Sequence, residues 1–222
     1  MMNNDRNPFV VLSWVSESSV VESGEPDDFL YEVDGNVLGV DDNDDRFMVG
    51  KFRIYYVNVA QAMDRNMSVF DVFDLHAHTV GYYDAIFGNH YPDFTEKVMK
   101  VLEYDVVDSN ILILDRLELL PKYRGQGLGL KIICHIIKRF SMGTALVATK
   151  PFPLQFENKS SNEDDKKWRA ELKLAQLPKN ELLATKKLSE HYGKLGFRKI
   201  SRTPYMLRST AWILPDIESV IG

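Results

Sequence analysis

The chain has 222 residues, which fits one large domain better than two. Hydrophobic residues make up 45% and charged residues 27%, a composition that excludes a wholly disordered chain, a collagen and a coiled-coil rod. The net charge of −5 argues against a nucleic-acid-binding protein, and the single cysteine excludes an intramolecular disulfide and favours a reduced, cytoplasmic setting. Because neither a signal peptide nor an apolar stretch near the ~20 residues that span a bilayer is evident, we expect a soluble protein with no membrane partner.

The first third of the chain is predicted to contain short strands. An apolar run over residues 8–15 predicts the first strand. Residues 29–33 predict a second, which should end at the turn signal Asp-Gly-Asn of residues 34–36. An acidic cluster at residues 41–45 is typical of a solvated loop, although it could also attract a cationic substrate.

A hairpin is predicted next. Residues 47–60 and 68–77 are rich in Val, Phe, Tyr and Ile, which predicts two antiparallel strands. On the second of these strands, Asp74, His76 and His78 would alternate along one face. Either a half-buried sheet edge or a metal site could explain that pattern, and we favour the edge.

Helices and strands then follow one another. Residues 79–103 have helical spacing with a break, which predicts two short helices. Residues 110–120 predict a buried strand, residues 130–140 a helix that Gly143 stops, and residues 144–148 another buried strand.

The C-terminal part predicts two more helices and two short strands. The helices are expected within residues 160–177 and 180–195, and the strands within 197–201 and 205–208. The complete order predicts a mixed α/β fold with one glycine-rich loop between a strand and a helix.

That loop, PKYRGQGLG at residues 121–129, carries the clearest chemical signal. The first N–H groups of a helix have no intrahelical partner and point outward at the positive end of the helix dipole. Gly125, Gly127 and Gly129 let an anion approach the backbone closely, and Arg124 adds positive charge at the rim. The loop therefore indicates a phosphate or pyrophosphate site, although a tight strand–helix connection would also explain the glycines.

Two common phosphate loops do not fit these residues. No lysine followed by Ser or Thr comes after the last glycine, which excludes a Walker A loop. The spacing Gly-x-Gly-x-Gly differs from the dinucleotide fingerprint, and the expected downstream acid is not evident.

Residues 117–129 resemble the acetyl-CoA-binding motif of the GNAT superfamily of N-acetyltransferases. In that motif an Arg or Gln is followed by two residues, a Gly, one residue and a Gly or Ala, and Arg124, Gly127 and Gly129 match it. Residues 188–197 (LSEHYGKLGF) resemble the second signature of the family, an aromatic helix end that runs into a Leu-Gly-Phe strand start. Both segments occur in the family's order around a strand–helix–strand unit.

The resemblance implies a layered α+β fold over residues 1–222 as a single domain. Its central sheet would be mixed and mostly antiparallel, with a splayed pair of parallel strands and helices on both faces. Residues 110–207 would form the acetyl-CoA-binding half, with an inserted helix at about 160–177. Residues 1–109 would form a divergent N-terminal half on the acceptor side, since the helices that the family places between its first two strands fall later here.

The resemblance also implies the residues that bind acetyl-CoA. Backbone amides of the loop beside Arg124 would hold the pyrophosphate, and the pantetheine arm would pair with the preceding strand at residues 117–119. A strand amide, that of Leu119, would polarise the thioester carbonyl. The residues expected to contact the cofactor are Leu117, Leu119, Arg124, Gly125, Gln126, Gly127, Leu128 and Gly129.

Two proton transfers would need side chains. A lysine-like amine with a pKa near 10.4 is protonated at pH 7, so a general base or a water chain would help. The leaving thiolate, with a pKa near 8.5, would benefit from an acid. Tyr192 matches the family's tyrosine that donates to the CoA sulfur, and its alternative interpretation is a core aromatic at a helix end.

Asp115 and Glu118 are the candidate bases, because both lie on the strand before the loop. Alternation along a strand places Asp115 on the same face as Leu117 and Leu119, and Glu118 on the other. A water-relayed base elsewhere, or a plain salt-bridge function for both acids, stays open.

The sequence therefore predicts an acetyl-CoA-dependent N-acetyltransferase that acts by direct attack of a primary amine, with no metal. The acceptor would be a small-molecule or peptide amine, for which an acidic chain is suited, and a homodimer is a reasonable expectation. The alternatives are a non-catalytic acyl-CoA-binding or sensing module and a protein-interaction domain with a vestigial loop.

Overall fold

The computed structural model describes residues 9–16, 20, 23–104, 106, 108–157 and 162–221. Within these ranges the strands are β1 Phe9–Trp14, β2 Leu30–Val40, β3 Arg46–Val57, β4 Ile111–Leu119, β5 Leu146–Thr149, β6 Arg198–Lys199 and β7 Met206–Ser209. They form one sheet in the order β1-β2-β3-β4-β5-β7-β6. Its neighbouring strands are antiparallel except β4 and β5, which are parallel. The prediction of a mixed, mostly antiparallel sheet is confirmed.

Helices in the same ranges cover both faces of this sheet. They are α1 Val59–Asp64, α2 Val69–Asp74, α3 Val80–Ile86, α4 Glu96–Val101, α5 Leu128–Phe140, α6 Glu163–Glu171, α7 Glu181–Gly193 and α8 Ile217–Ile221. Helices α1–α4 lie between β3 and β4 in the chain and pack into one core cluster, whereas α5, α7 and α8 contribute to a second cluster. None of the helices within the described ranges is long and apolar enough to cross a membrane.

Strand β4 is buried on both sides, which explains its continuous apolar run. Ile111 and Ile113 belong to the first cluster, and Leu112 and Leu114 belong to the second. A strand covered by helices on both faces needs apolar side chains at consecutive positions, since neither face meets water.

The prediction that the second strand ends at residues 34–36 is wrong, because β2 continues through them to Val40. In the antiparallel ladder, Gly35 is opposite both Trp14 and Phe52, and the ring of Phe52 covers it. A Cβ on Gly35 would lie 2.2 Å from Cε1 of Phe52. The glycine therefore makes room for a cross-strand aromatic ring instead of a turn, and the reversal falls at the acidic residues 41–45.

The predicted hairpin between residues 47–60 and 68–77 is also wrong. Strand β3 pairs with β2 and β4, and residues 69–74 form the helix α2. The Ser68 side chain accepts a hydrogen bond from the Asp71 amide, which caps this helix, and Val69, Val72 and Phe73 form its buried face. His76 and His78 lie in the turn that follows, so they do not share a strand face with Asp74.

The other predicted elements are observed near their expected positions, including the two short helices within 79–103, the strand–loop–helix at 110–140 and the helix within 160–177.

No group of three or more His, Cys, Asp or Glu side chains among the described residues is arranged to hold a metal ion.

Gly50, on β3 opposite Leu119 of β4, marks a very close approach of these two strands. A Cβ there would lie 2.1 Å from the backbone oxygen of Glu118. Because a backbone carbonyl cannot move aside as a flexible side chain can, we expect Gly50→Ala to lower the free energy of unfolding by about 1–3 kcal/mol in urea denaturation. Gly193→Ala is the matched control, since nothing lies within 4 Å of that Cβ. It should leave stability unchanged or raise it by up to about 1 kcal/mol, and equal losses would contradict this packing.

Candidate active site

The site is built around the point where the two parallel strands stop pairing. Strand β5 pairs with β4 from Ile111↔Leu146 to Leu114↔Thr149, whereas β4 continues to Leu119. Past Leu114, the side of β4 that faces away from β3 therefore has no strand partner among the described residues. The Thr149 hydroxyl donates to the Leu114 carbonyl oxygen at 2.9 Å, which satisfies a backbone acceptor at this point.

The glycine loop lies at the far end of β4. Pro121–Tyr123 form a 3-10 turn, and Gly127, with φ of 73°, caps α5 in the left-handed conformation that favours glycine. Within the described residues, the amides of Gly125, Gly127, Leu128 and Gly129 donate to no protein acceptor. They are the free donors that the sequence predicts at the start of this helix.

The two sides of the loop differ in access. A Cβ on Gly125 would meet nothing within 4 Å, whereas one on Gly127 would lie 2.3 Å from Cγ2 of Ile221 in α8. Helix α8 is held there by an ion pair between Lys131 and Glu218 at 2.8 Å. The loop therefore has open space beside the Gly125 Cα, whereas α8 packs against the Gly127 Cα.

Several predicted cofactor-binding residues do meet around α5. A Cβ on Gly129 would lie within 4 Å of the side chains of Leu119, Leu117 and His191, so strand, loop and α7 are adjacent there. Gln126 donates from its side chain to the Lys122 carbonyl oxygen at 3.2 Å.

Arg124 links the loop by hydrogen bonds to the end of β4 and to the end of α6. Its Nε donates to the Leu119 carbonyl oxygen at 2.8 Å, and its Nη2 donates to the Leu172 carbonyl oxygen after α6, also at 2.8 Å. Its guanidinium thus fixes the end of β4 and adds positive charge beside the loop.

Tyr192 of α7 lies in the second core cluster and is buried. Burial raises the pKa of its phenol, the interaction with the Thr149 hydroxyl lowers it in part, and the charge of Asp115 raises it further. The hydroxyl therefore lies beside the end of β4–β5 pairing, and the phenol stays protonated at neutral pH.

Asp115 occupies a β-bulge. Arg53 pairs with Arg116 and Ile54 pairs with Leu114, which leaves Asp115 without a partner on β3. The extra residue resets the alternation of side chains along the strand.

The prediction that Asp115 shares a face with Leu117 and Leu119 is therefore wrong. Those leucines pack against the second core cluster. Asp115 and Glu118 both line a cavity on the opposite side of β4.

This cavity has a volume of about 970 Å³ and begins where β4 and β5 separate. Its lining comes from β2, β3, β4, the α2–α3 turn, α3, α6 and the segments after β5 and β6, and includes five aromatic residues: Tyr82, Phe152, Phe156, Trp168 and Tyr205. The hairpin β2–β3 adds Arg53, which donates to both carboxylate oxygens of Asp34 at 2.8 and 2.9 Å. The cavity thus combines an aromatic lining with paired charges.

Glu118 is buried and serves as an anchor for α6. It accepts hydrogen bonds from the indole N–H of Trp168 and from Arg116, the latter at 3.2 Å. Arg116 and Arg169 both bind Glu157 as well, so a chain of ion pairs links β4 to α6. Glu118 therefore holds α6 on the cavity wall, and both of its carboxylate oxygens are engaged by these bonds.

Asp115 is different, because its Oδ2 is buried and has no hydrogen-bond partner within the described part of the chain. Burial raises the pKa of this carboxyl, and the charge of His78 is the largest opposing influence. His78 Nδ1 lies 4.0 Å from Asp115 Oδ1.

Sequence reasoning did not identify Thr149 or Trp168 as members of the site, and it considered His78 only as a possible metal ligand. Trp168 and Glu118 are 50 positions apart, and no local pattern links two such residues. The capping pair Ser68 and Asp71 was the available signal for α2, and it would have placed His78 in a turn instead of on a strand.

Comparisons of this chain with protein-family models, with curated proteins and with solved structures give no match.

The anchoring of α6 can be tested with a double-mutant cycle on Glu118 and Trp168. In the native background, Trp168→Phe should lower the free energy of unfolding by about 1.5–3 kcal/mol, because it removes a hydrogen bond to a buried carboxylate. In the Glu118→Ala background the same change should cost much less, giving a coupling energy of about 0.5–3 kcal/mol in urea unfolding.

The exposed pair between Lys167 and Asp164 on the same helix provides the control. Lys167→Ala should change stability by less than about 0.5 kcal/mol. Fully additive costs for the Glu118 and Trp168 substitutions would show that the two side chains do not interact.

Proposed function

We propose that this chain is an acetyl-CoA-dependent N-acetyltransferase of the GNAT type, which transfers an acetyl group to a primary amine by direct attack. One observation carries the proposal. The end of β4–β5 pairing lies between a loop of free amides and a cavity that contains a carboxyl, and the hydroxyl of Tyr192 lies at the same point.

The residues present suit acetyl-CoA. The free amides of Gly125, Gly127, Leu128 and Gly129, with Arg124 beside them, provide donors and positive charge for a pyrophosphate. The unpaired side of β4 over residues 115–119 offers backbone groups to the amide-rich pantetheine arm, as an added strand would use them.

The two reactants would approach from opposite faces of the sheet. The thioester would reach the gap beyond Leu114 from the loop side, along Leu117 and Leu119, and the amine would reach it from the cavity side. A backbone amide of β4, that of Leu119 in the resemblance, would polarise the thioester carbonyl.

The chemistry then needs one proton acceptor and one proton donor. The amine must lose a proton to expose its lone pair, and the cavity side offers Asp115 and its neighbours for this. The departing sulfur needs a proton, and Tyr192 is a protonated phenol beside the gap. Asp115 Oδ2 has no hydrogen-bond partner among the described residues, whereas the carboxylate of Glu118 is already engaged by Trp168 and Arg116.

A panel of primary amines tests the activity, with release of the CoA thiol as the signal. Polyamines, aminoglycosides, amino acids and lysine-containing peptides should be included, because the cavity can hold a ligand larger than a simple diamine. Turnover of at least one of these amines is expected. Binding of acetyl-CoA without turnover of any amine would favour the non-catalytic acyl-CoA-sensing alternative.

Tyr192→Phe should lower kcat by about 10²–10⁴, because it removes only the donor hydroxyl, and the Kd for acetyl-CoA should be unchanged. Tyr56→Phe is the control. Its hydroxyl donates instead to the Gly143 carbonyl oxygen at 3.3 Å, away from the gap, so turnover should be retained. Equal kcat values for Tyr192→Phe and the native protein would remove Tyr192 from the mechanism.

A further inference from the structure

The turn between α2 and α3 brings a histidine to the cavity wall. The Thr79 side chain, which is fully buried, donates to the carbonyl oxygens of Phe73 and His76, the latter at 2.9 Å. The Thr79 amide also donates to the His76 carbonyl oxygen, at 2.9 Å. These bonds fix the backbone on either side of His78 and therefore the direction in which its side chain leaves the turn.

His78 faces the bulged acid of β4. Its Nδ1 is 4.0 Å from Asp115 Oδ1, which leaves Nε2 as the ring nitrogen available to the cavity. The histidine side chain is 49% exposed and that of Asp115 only 11%. A half-exposed imidazole can exchange protons with both substrate and water, whereas the carboxyl beside it is screened from water.

The surroundings of Asp115 explain why Asp115 and His78 should act together. Burial disfavours the charged carboxylate, and Oδ2 has no donor among the described residues. A proton on His78 would place a positive charge beside this carboxylate, and the charge of His78 is the largest of those that oppose the effect of burial. Proton uptake by the imidazole and ionisation of the acid therefore support each other.

The groups that act on Asp115 include a histidine, His78, whose side chain is half-exposed. The charged and titratable groups that act on Asp115 or are influenced by it are Arg53 and Tyr55 on β3, Tyr82 on α3, Arg116 on β4, Glu157 after β5, Tyr192 on α7 and His78 itself. Arg53 already binds Glu32 and Asp34, and Arg116 already binds Glu118 and Glu157. Histidine is the side chain in this set that ordinarily changes charge between pH 5 and 8.

We propose that His78 is the general base of the acetyl transfer and that Asp115 is a positioning residue that holds the imidazole and offsets its charge. The inference rests on the proposed transferase function and identifies its proton acceptor. A nitrogen–carbon bond forms as the amine lone pair attacks the thioester carbonyl, and the carbon–sulfur bond breaks.

The protons balance in this scheme. The ammonium gives its first proton to Nε2 of His78, which releases it to water. The second proton leaves the nitrogen as the intermediate collapses and restores the hydroxyl of Tyr192, which has protonated the sulfur. The products are the amide, the CoA thiol and one proton.

Kinetics against pH, with acetyl-CoA and the best amine of the panel, test this assignment. His78→Gln should lower kcat by about 10²–10³ without changing the KM for acetyl-CoA, and the kcat–pH profile should lose the ionisation of the base. Added imidazole should restore part of the activity of His78→Ala. His76→Gln is the matched control from the same turn, since His76 instead lies 3.6 Å from Glu32 and packs on Tyr55.

The outcomes separate the two proposals. A native protein that turns over amine, together with a His78→Gln variant that keeps its kcat and pH profile, would overturn the assignment of His78 and leave the transferase intact. A native protein that turns over no amine would overturn the transferase and the catalytic function of His78 together.

Nitrogen NMR of the histidine rings tests the pairing itself and does not depend on turnover. In the native protein the neutral His78 ring should carry its proton on Nδ1, facing Asp115. Asp115→Ala should shift the ring toward the Nε2–H tautomer and leave His76 unchanged. An identical His78 tautomer in both proteins would show that Asp115 does not orient the ring and would overturn the pair.

Discussion

The end of hydrogen-bonded pairing between β4 and β5 is the constraint on which the rest of the site depends. The segment after Thr149 reads Lys-Pro-Phe-Pro, and the two prolines have no N–H to continue a ladder. On the other strand, the bulge at Asp115 interrupts the regular spacing one residue after the last pair. The prolines and the bulge thus end the pairing of β4 and β5 at the same level of the sheet.

Where β4 loses its strand partner in the middle of the sheet, its backbone groups need other hydrogen-bond partners. Thr149 satisfies the carbonyl of Leu114, and Arg124 satisfies that of Leu119. Beyond the gap, the ion pairs that join Arg116, Glu118, Glu157 and Arg169 hold α6 over the cavity. Helix α6 therefore forms one wall of the cavity and is linked to the strand that carries Asp115.

The sequence predicted those parts of the fold that depend on local signals. The strand–loop–helix of residues 110–140 was predicted because an apolar run, a glycine cluster and a helical period follow one another without interruption. The apolar helix α2 was predicted as a strand, since its Val and Phe residues favour β structure, whereas the capping pair Ser68 and Asp71 is the local signal for the start of a helix.

The candidate site was less accessible from sequence, for two physical reasons. A bulge is a property of two strands together, so the faces of Asp115 and Glu118 could not be obtained from alternation along one of them. The partners His78, Thr149 and Trp168 come from elements far apart in the chain, and only the folded arrangement brings them to β4. The sequence identified Asp115 and Glu118 as candidate acids, and the folded structure showed that their hydrogen-bond partners differ.

Hydrogen–deuterium exchange with and without acetyl-CoA tests the central claim most directly, because the gap in the sheet is proposed to bind the thioester through backbone groups. Bound acetyl-CoA should slow exchange at the amides of residues 115–119 and 125–129, with little change in β1 or in the acidic turn at 41–45. Unchanged exchange at both segments at a saturating concentration of acetyl-CoA would contradict it.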